Sequence, residues 1–401
     1  MTSILKELTN EDTWLNYLQY KIDKGHLSKH EEEWLSNFIN SKAYKVVTDQ
    51  ILNPNYIFTP PQKCIINKSG TEKKRIVYIF EDSEALTLKV MSFLLYRYDN
   101  LLSDNCYSFR KNTSAKDAIK KILATKNISS MFCLKLDISN YFNSISPDRL
   151  CQKLQDIMFD DKETFEFLKR MLMSNKAIEN GQLIDENRGA MAGTATSAFF
   201  ANLYLKDLDE YYSQKGILYY RYSDDIIMFF PTLQELQNEY SFILDYLSKA
   251  ELHINPNKVL ITVPNEPWEF LGISYNDSIV DISNVTMNKL KAKIRRKAKA
   301  LYRWRMRRGA TFEQTAKVMI RVFNKKFYNE TDHNSFTWSR WFFPIINTDK
   351  SLKELDEYLI QYIRFLYKGR HYKGNYKIKY DDIKALGFRS LVNEYYKNKN
   401  E

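Results

Sequence analysis

Long apolar runs are missing from this chain of 401 residues. Nowhere do about eighteen apolar residues follow one another, so a membrane-spanning helix of ordinary length is excluded and no membrane partner is expected. Cysteine is scarce. Cys64, Cys106, Cys133 and Cys151 stand alone without a Cys-x-x-Cys pair, which argues against a zinc module and for buried free thiols in a reducing compartment. No internal repeat and no nuclease box occurs. The first residues, Met1 to Glu7, do not place a basic segment before an apolar run, so a cytoplasmic location is expected. Acidic residues are absent between Lys289 and Arg308, where eleven Lys or Arg fall; that number equals the net charge of the whole chain, +11. A polyanionic partner follows, the alternative being a plain solvated helix face.

At 44% hydrophobic and 27% charged residues, the whole chain has the composition of an ordinary globular protein, long enough for two or three subdomains. Its 28 Tyr and 24 Phe serve packing first and base stacking second. Tyr219 to Phe230 reads as two short strands with Ser223-Asp224-Asp225 at the bend. Adjacent carboxylates repel unless a cation neutralises them. Either the bend is an ordinary polar turn, or it is half of a site for a hard divalent cation. Phe132 to Phe142 offers a third carboxylate, Asp137, at the end of an apolar strand. The three aspartates could then share one sheet edge.

Tyr222-Ser223-Asp224-Asp225 resembles the Tyr-x-Asp-Asp box of reverse transcriptases, and Asp137 to Phe142 resembles their first palm motif, roughly ninety residues earlier. Further boxes are similar to that family's. Ser108-Phe109-Arg110 precedes a helix, Gly193-Thr194-Ala195-Thr196-Ser197 runs toward Asn202, Asn255-Pro256-Asn257-Lys258 follows the palm helix, and Phe270-Leu271-Gly272 matches a primer-grip box. The box around Gly193 departs from the family, with Met191 and Ala192 in the Pro-Gln slots and Ala198 after Ser197. The resemblance covers about residues 60 to 275. It implies an α+β right-hand polymerase with fingers, an antiparallel-sheet palm and an α-helical thumb, and an RNA-directed DNA polymerase activity. Asp137, Asp224 and Asp225 would be catalytic and, with the Ile138 carbonyl, would hold two Mg2+ ions, Mn2+ substituting. Lys68 and Arg75, near the tip of a hairpin, Phe142 as a ring under the sugar, Gly193 and Lys258 would meet the dNTP. Arg110 would touch the template backbone, and Arg295, Arg296, Lys299 and Arg303 would ride the duplex.

The expected division is a helical extension over 1–55, fingers over 56–130, a palm over 131–275 with inserted helices near 150–190, and a basic thumb and tail over 276–401. Trp14, Leu15, Leu18 and Ile22, then Trp34, Phe38 and Ile39, mark apolar faces in the extension; His26 and His30, four apart, lack the companions of a metal site. One helix is expected from about Ser83 to Tyr98, another from Ser146-Pro147. Leu290, Ile294, Ala298, Leu301 and Trp304 stripe the basic helix, which Gly309 ends. A capping box at Ser351 should open a last helix, and Tyr372, Tyr376, Tyr380, Tyr395 and Tyr396 interleave with cations as in a nucleic-acid-binding tail. Template RNA, DNA product and dNTPs are the implied partners, with a dedicated non-coding RNA or a second subunit as further ones.

Within the family, a complete group II intron protein is not expected without a zinc or HNH segment, and no Val-Thr-Gly follows Gly272 as in retrons. The irregular box around Gly193 looks most like the bacterial defence-associated enzymes, with diversity-generating or group II-like enzymes as the alternative. Protein-primed synthesis from a Tyr hydroxyl stays open. A nucleic-acid-binding subunit with this fold and little activity is the alternative of another class.

Overall fold

The computed structural model describes residues 3–25, 27–67, 74–186, 189–328 and 337–400. The runs rich in β-branched and aromatic residues form the strands. In chain order these are β1 (Gln62–Asn67), β2 (Lys74–Ile79), β3 (Phe132–Asp137), β4 (Lys176–Glu179), β5 (Gln182–Asp185), β6 (Leu218–Tyr222), β7 (Asp225–Phe230), β8 (Leu260–Thr262), β9 (Trp268–Phe270), β10 (Ile273–Asn276) and β11 (Ile279–Ile282). They make three sheets, ordered β2-β1-β4-β5, β6-β7-β3-β8 and β11-β10-β9.

The chain divides into two compact units, Met1–Pro264 and Asn265–Glu401. In the first, β3 pairs antiparallel with β7 and β8, and β7 with β6. Strands β3 and β7 are buried almost throughout, because helix Leu233–Lys249 covers both and helix Lys206–Lys215 packs on β6. Their near-continuous apolar runs reflect burial on both faces. The second sheet joins β1 and β2 to the β4–β5 hairpin through a parallel contact, Gln62 opposite Ile178. The stretch near 150–190 consists of two helices, Pro147–Ile157 and Lys162–Met173, followed by the β4–β5 hairpin that joins the sheet of β1 and β2. Pro147 takes the first helical position after Ser146, as its fixed φ favours.

The helical extension is part of this unit's core, since Ile4, Leu8, Trp14, Leu35, Ile39 and Tyr44 belong to the same apolar cluster as Leu134, Leu136 and Met228. Leu15 and Trp34, placed by their spacing on the apolar face, are exposed instead. A Ser28–Glu31 capping box starts helix Lys29–Asn40. His26 lies outside the described residues and His30 is exposed. The helix expected over Ser83 to Tyr98 is α-helical over Asp82–Leu94 and tightens to a 3-10 helix over Leu95–Leu101.

The second unit starts at Asn265, where the sequence placed palm until 275. Strands β9, β10 and β11 hydrogen-bond to one another and to no strand of the β6-β7-β3-β8 sheet, so Phe270-Leu271-Gly272 belongs to the second unit. Helix Asn284–Arg308 buries Met287, Leu290, Ile294, Ala298 and Leu301 and ends at Gly309, whose φ of +63 suits glycine. Trp304 is exposed rather than part of that stripe. The last long helix begins at Lys350, with Asp349 as its N-cap; Ser351 lies inside it, so the capping box does not form. Three of the four cysteines are buried and Cys64 is half-buried, all as free thiols. Among the described residues, no helix is long and apolar enough to cross a membrane.

Candidate active site

The β6–β7 pair sets Tyr222 opposite Asp225, which leaves Ser223 and Asp224 as a two-residue turn. Turns this tight match the strand twist when the loop enters the left-handed region, and Ser223 has φ +61. A side chain there costs roughly 1–2 kcal/mol, so something must hold it. Two bonds do. Ser223 N donates to Ser108 Oγ at 2.9 Å, and the Ser223 carbonyl accepts from Arg221 Nη1 at 3.2 Å. Arg221 is fully buried and meets the equally buried Asp209 through Nε at 2.7 Å and Nη2 at 2.5 Å. Tyr219 donates to the same carboxylate at 2.8 Å. Ser108 Oγ in turn donates to Asn202 Oδ1 at 3.0 Å, and Asn202 Nδ2 returns a bond to the Ser108 carbonyl at 2.6 Å. The acidic turn is therefore clamped from beneath by residues of three other segments.

The β3–β7 register places Asp137 opposite Asp225. Beyond the paired strands, Ile138 N donates to the Asp224 carbonyl at 3.1 Å and Asn255 N to the Asp137 carbonyl at 2.9 Å. Asp137 and Asp224 line one cleft of about 430 Å³ together with Ile138, Phe142, Gly193, Arg75 and Lys258. Burial, then the charge of Asp137, raises the Asp224 carboxyl above its ordinary range. Burial, followed by the neighbouring Asp224 charge, pushes Asp225 up to about 6. The counter-charges are Lys135, which acts on Asp225, and Lys258, whose ammonium forms an ion pair with Asp137 Oδ2.

No three His, Cys, Asp or Glu side chains stand together as a ready metal cage among the described residues. The donor set still fits Mg2+. That ion takes one or two protein carboxylates and completes its shell with water and substrate phosphate, whereas a full protein cage is the habit of other metals. Two repelling, half-desolvated carboxylates at a cleft offer such a partial shell, with Lys258 as the present cation.

The cleft wall opposite the aspartates comes from the fingers sheet and the small-residue loop. Asn143 accepts from Ala192 N at 3.1 Å and donates to the Ile76 carbonyl at 3.3 Å, and Ala192 O accepts from Tyr78 N at 2.8 Å. These bonds need close backbones. A Cβ on Gly189 would lie 2.7 Å from the Phe142 carbonyl, and one on Gly193, at φ +103, would lie 3.0 Å from Val77 Cβ. The altered Pro-Gln slots are thus a folded wall: Met191 is buried and Ala192 faces the cleft without a polar side chain. Arg75 is exposed at the cleft beside Lys74, a second cation that the sequence did not single out. Lys68 lies outside the described residues. Phe142 lines the cleft, with Phe109 edge-on to its ring at 6.1 Å.

The Arg110 guanidinium donates to the carbonyls of Ser103, Cys106 and Asp99 at 2.9, 3.2 and 2.9 Å, bonds made with neighbouring stretches of the chain. In the second unit, Arg295, Arg296, Lys299 and Arg303 are exposed on helix Asn284–Arg308. The basic run is not wholly unopposed, since Lys291 pairs with Glu354 and Arg305 donates to the Leu366 and Tyr367 carbonyls. Tyr395 leaves the expected nucleic-acid tail: it is buried, with its hydroxyl on the Ile346 carbonyl at 3.0 Å. Sequence reasoning missed Asn143, Lys74 and the Asp209–Arg221 pair. A lone Arg inside the apolar run Tyr219 to Tyr222 was the available signal for that pair.

Asp137, Asp224 and Asp225 thus stand at one end of an antiparallel sheet, and Lys74, Arg75 and Lys258 line the cleft that Asp137 and Asp224 enter. The sequence pattern of the family described as reverse transcriptase (RNA-dependent DNA polymerase) matches residues 66–275, just over half of the chain, and the chain belongs to that family. The retron Ec86 reverse transcriptase of Escherichia coli is 23% identical over 235 residues, covering 57% of this chain and 67% of that protein. The group II intron-encoded protein LtrA of Lactococcus lactis is also 23% identical, over 62% of this chain but only 41% of its own length. Among solved structures, apo telomerase from Candida tropicalis aligns over 85% of this chain and 69% of its own, with a TM-score of 0.47 and 13% identity.

Proposed function

We propose that this chain is an RNA-directed DNA polymerase that adds deoxynucleotides to a primer 3′-hydroxyl by two-metal nucleotidyl transfer. The observation that carries the reading is the single cleft in which Asp137 and Asp224 face Arg75, Phe142 and Lys258. Asp137 and Asp224, with the Ile138 carbonyl beside them, would hold two Mg2+ ions, or Mn2+ in their place, and such a bound pair would supply Lewis-acid help to the attacking hydroxyl and positive charge for the leaving pyrophosphate. The remaining roles fall to the chain. Asp137 and Asp224 present oxygens to the cleft, and Asp225 adds charge behind them. Arg75 and Lys74 meet the triphosphate, and Gly193 keeps the wall low enough for the nucleotide to approach. Phe142 fills the space that a 2′-hydroxyl would need. Lys258, paired with Asp137 at the cleft, is placed to offset charge or give a proton to pyrophosphate.

The irregular box around Gly193 supports a place among the bacterial anti-phage enzymes, with a dedicated non-coding RNA or a second subunit as partner. The test is incorporation of each labelled dNTP and NTP by the purified protein with Mg2+ or Mn2+. Incorporation of dNTPs that is lost in Asp224→Ala/Asp225→Ala is expected. No incorporation under any condition, with RNA binding retained, would instead make the chain a binding subunit. Plaque counts on cells carrying either form test the defence role.

A further inference from the structure

Between Tyr358 and Tyr380 the chain holds six Lys or Arg and no acid. Helix Lys350–Lys368 ends there at Gly369, whose Cβ position would fall 2.3 Å from the Tyr302 ring, and Arg305 caps the helix by donating to the Leu366 and Tyr367 carbonyls at 2.5 and 2.8 Å. The segment beyond folds on itself around Asn375, which is buried and donates to the Arg370 carbonyl at 2.7 Å. Arg364 Nε reaches the Ile378 carbonyl at 3.0 Å, which ties the segment back to the helix. The result is a fixed surface rather than a loose tail.

Two rings stand on it. Tyr376 is 58% exposed with the Arg364 guanidinium 4.9 Å from its centroid, and Tyr372 is 38% exposed with Arg370 at 5.1 Å. A guanidinium over a ring holds it in place, and Gly374 lies close against the Tyr372 ring, where a Cβ would fall 2.3 Å from Cε2. Neither arginine, nor Lys368, Lys373 or Lys377 beside them, forms an ion pair with another described residue. Oriented, partly exposed rings among cations without an ion-pair partner suit unpaired bases and their phosphates. A duplex, whose bases are already stacked, could use the charges alone.

We propose that Tyr372 and Tyr376, with Arg364 and Arg370 behind them, form a stacking platform for single-stranded nucleic acid on the second unit. It does not depend on polymerisation, because the ring faces and charges are complete without metal or nucleotide.

Binding to the full chain is measured by fluorescence anisotropy, without metal or dNTP, for an unstructured strand of about twelve U residues, one of dT, and a duplex of equal length. In Tyr372→Ala/Tyr376→Ala, the Kd for a single strand should rise about tenfold or more while the duplex Kd and the melting temperature stay in place. Tyr372→Phe/Tyr376→Phe should bind as the wild type does. Loss confined to the U strand assigns the site to RNA, loss confined to dT to DNA, and loss for both to either strand. Unchanged single-strand affinity, or an equal loss for the duplex, overturns the platform whether or not the protein polymerises.

Discussion

Asp225 takes on a proton near neutrality because it is buried beside Asp224 and opposite Asp137. Its carboxyl titrates from an ordinary 3.8 up to about 6. Between those values the folded protein holds a proton that the unfolded chain has released, so stability is highest below the lower value and falls as pH rises through the upper one. A displacement of that size corresponds to roughly 3 kcal/mol. Urea unfolding in EDTA should show wild-type stability declining from pH 4.5 to 7 relative to Asp225→Asn, with Mg2+ reversing part of the decline. Parallel profiles for the two proteins would remove Asp225 as the source. The sequence made this pair visible as adjacent acids in an apolar setting; the size of the effect needed the neighbours that bury them.

The β6–β7 hairpin presents its carboxylate only because Ser223 stays left-handed, and two bonds hold it there. Ser108→Ala removes one of them and leaves a buried N–H without an acceptor, at about 1–3 kcal/mol. The expected result is kcat lowered about tenfold or more with KM for dNTP unchanged, since the turn is displaced while the nucleotide wall around Gly193 is not. An unchanged kcat would mean that the turn holds without Ser108. Arg221→Met is a different experiment, because it strands Asp209 as an unpaired buried charge, and unfolding rather than altered kinetics should follow.

On the scale of the whole chain, the charge excess lies on the second unit, where Arg295, Arg296, Lys299 and Arg303 point outward from helix Asn284–Arg308. Replacing all four with Ala should weaken duplex binding without regard to sequence. It should also reduce the slope of log K against log salt concentration by roughly 3 to 4, about 0.9 for each lost phosphate contact. A slope equal to that of the wild type would show that these cations touch no phosphate. Ring stacking contributes little to that slope, so the variant also separates the helix from the Tyr372 and Tyr376 surface.

Order along the chain determined what a motif can carry: Asp137 at a strand end, the acidic pair at a hairpin, glycine at the close of the basic helix, and an acid-free run of cations. These follow from local periodicity, turn chemistry and like-charge repulsion, which act over a few residues. Only the tertiary structure decided that Arg110 bonds its own loop, that Tyr395 is core while Tyr372 and Tyr376 are surface, and that β9 to β11 leave the palm for the second unit. It also decided that Asp209, Arg221, Asn202 and Ser108 converge under the acidic turn. Such choices depend on which distant groups share a desolvated space, where a hydrogen bond or a charge gains its partner through the fold rather than through its place in the sequence.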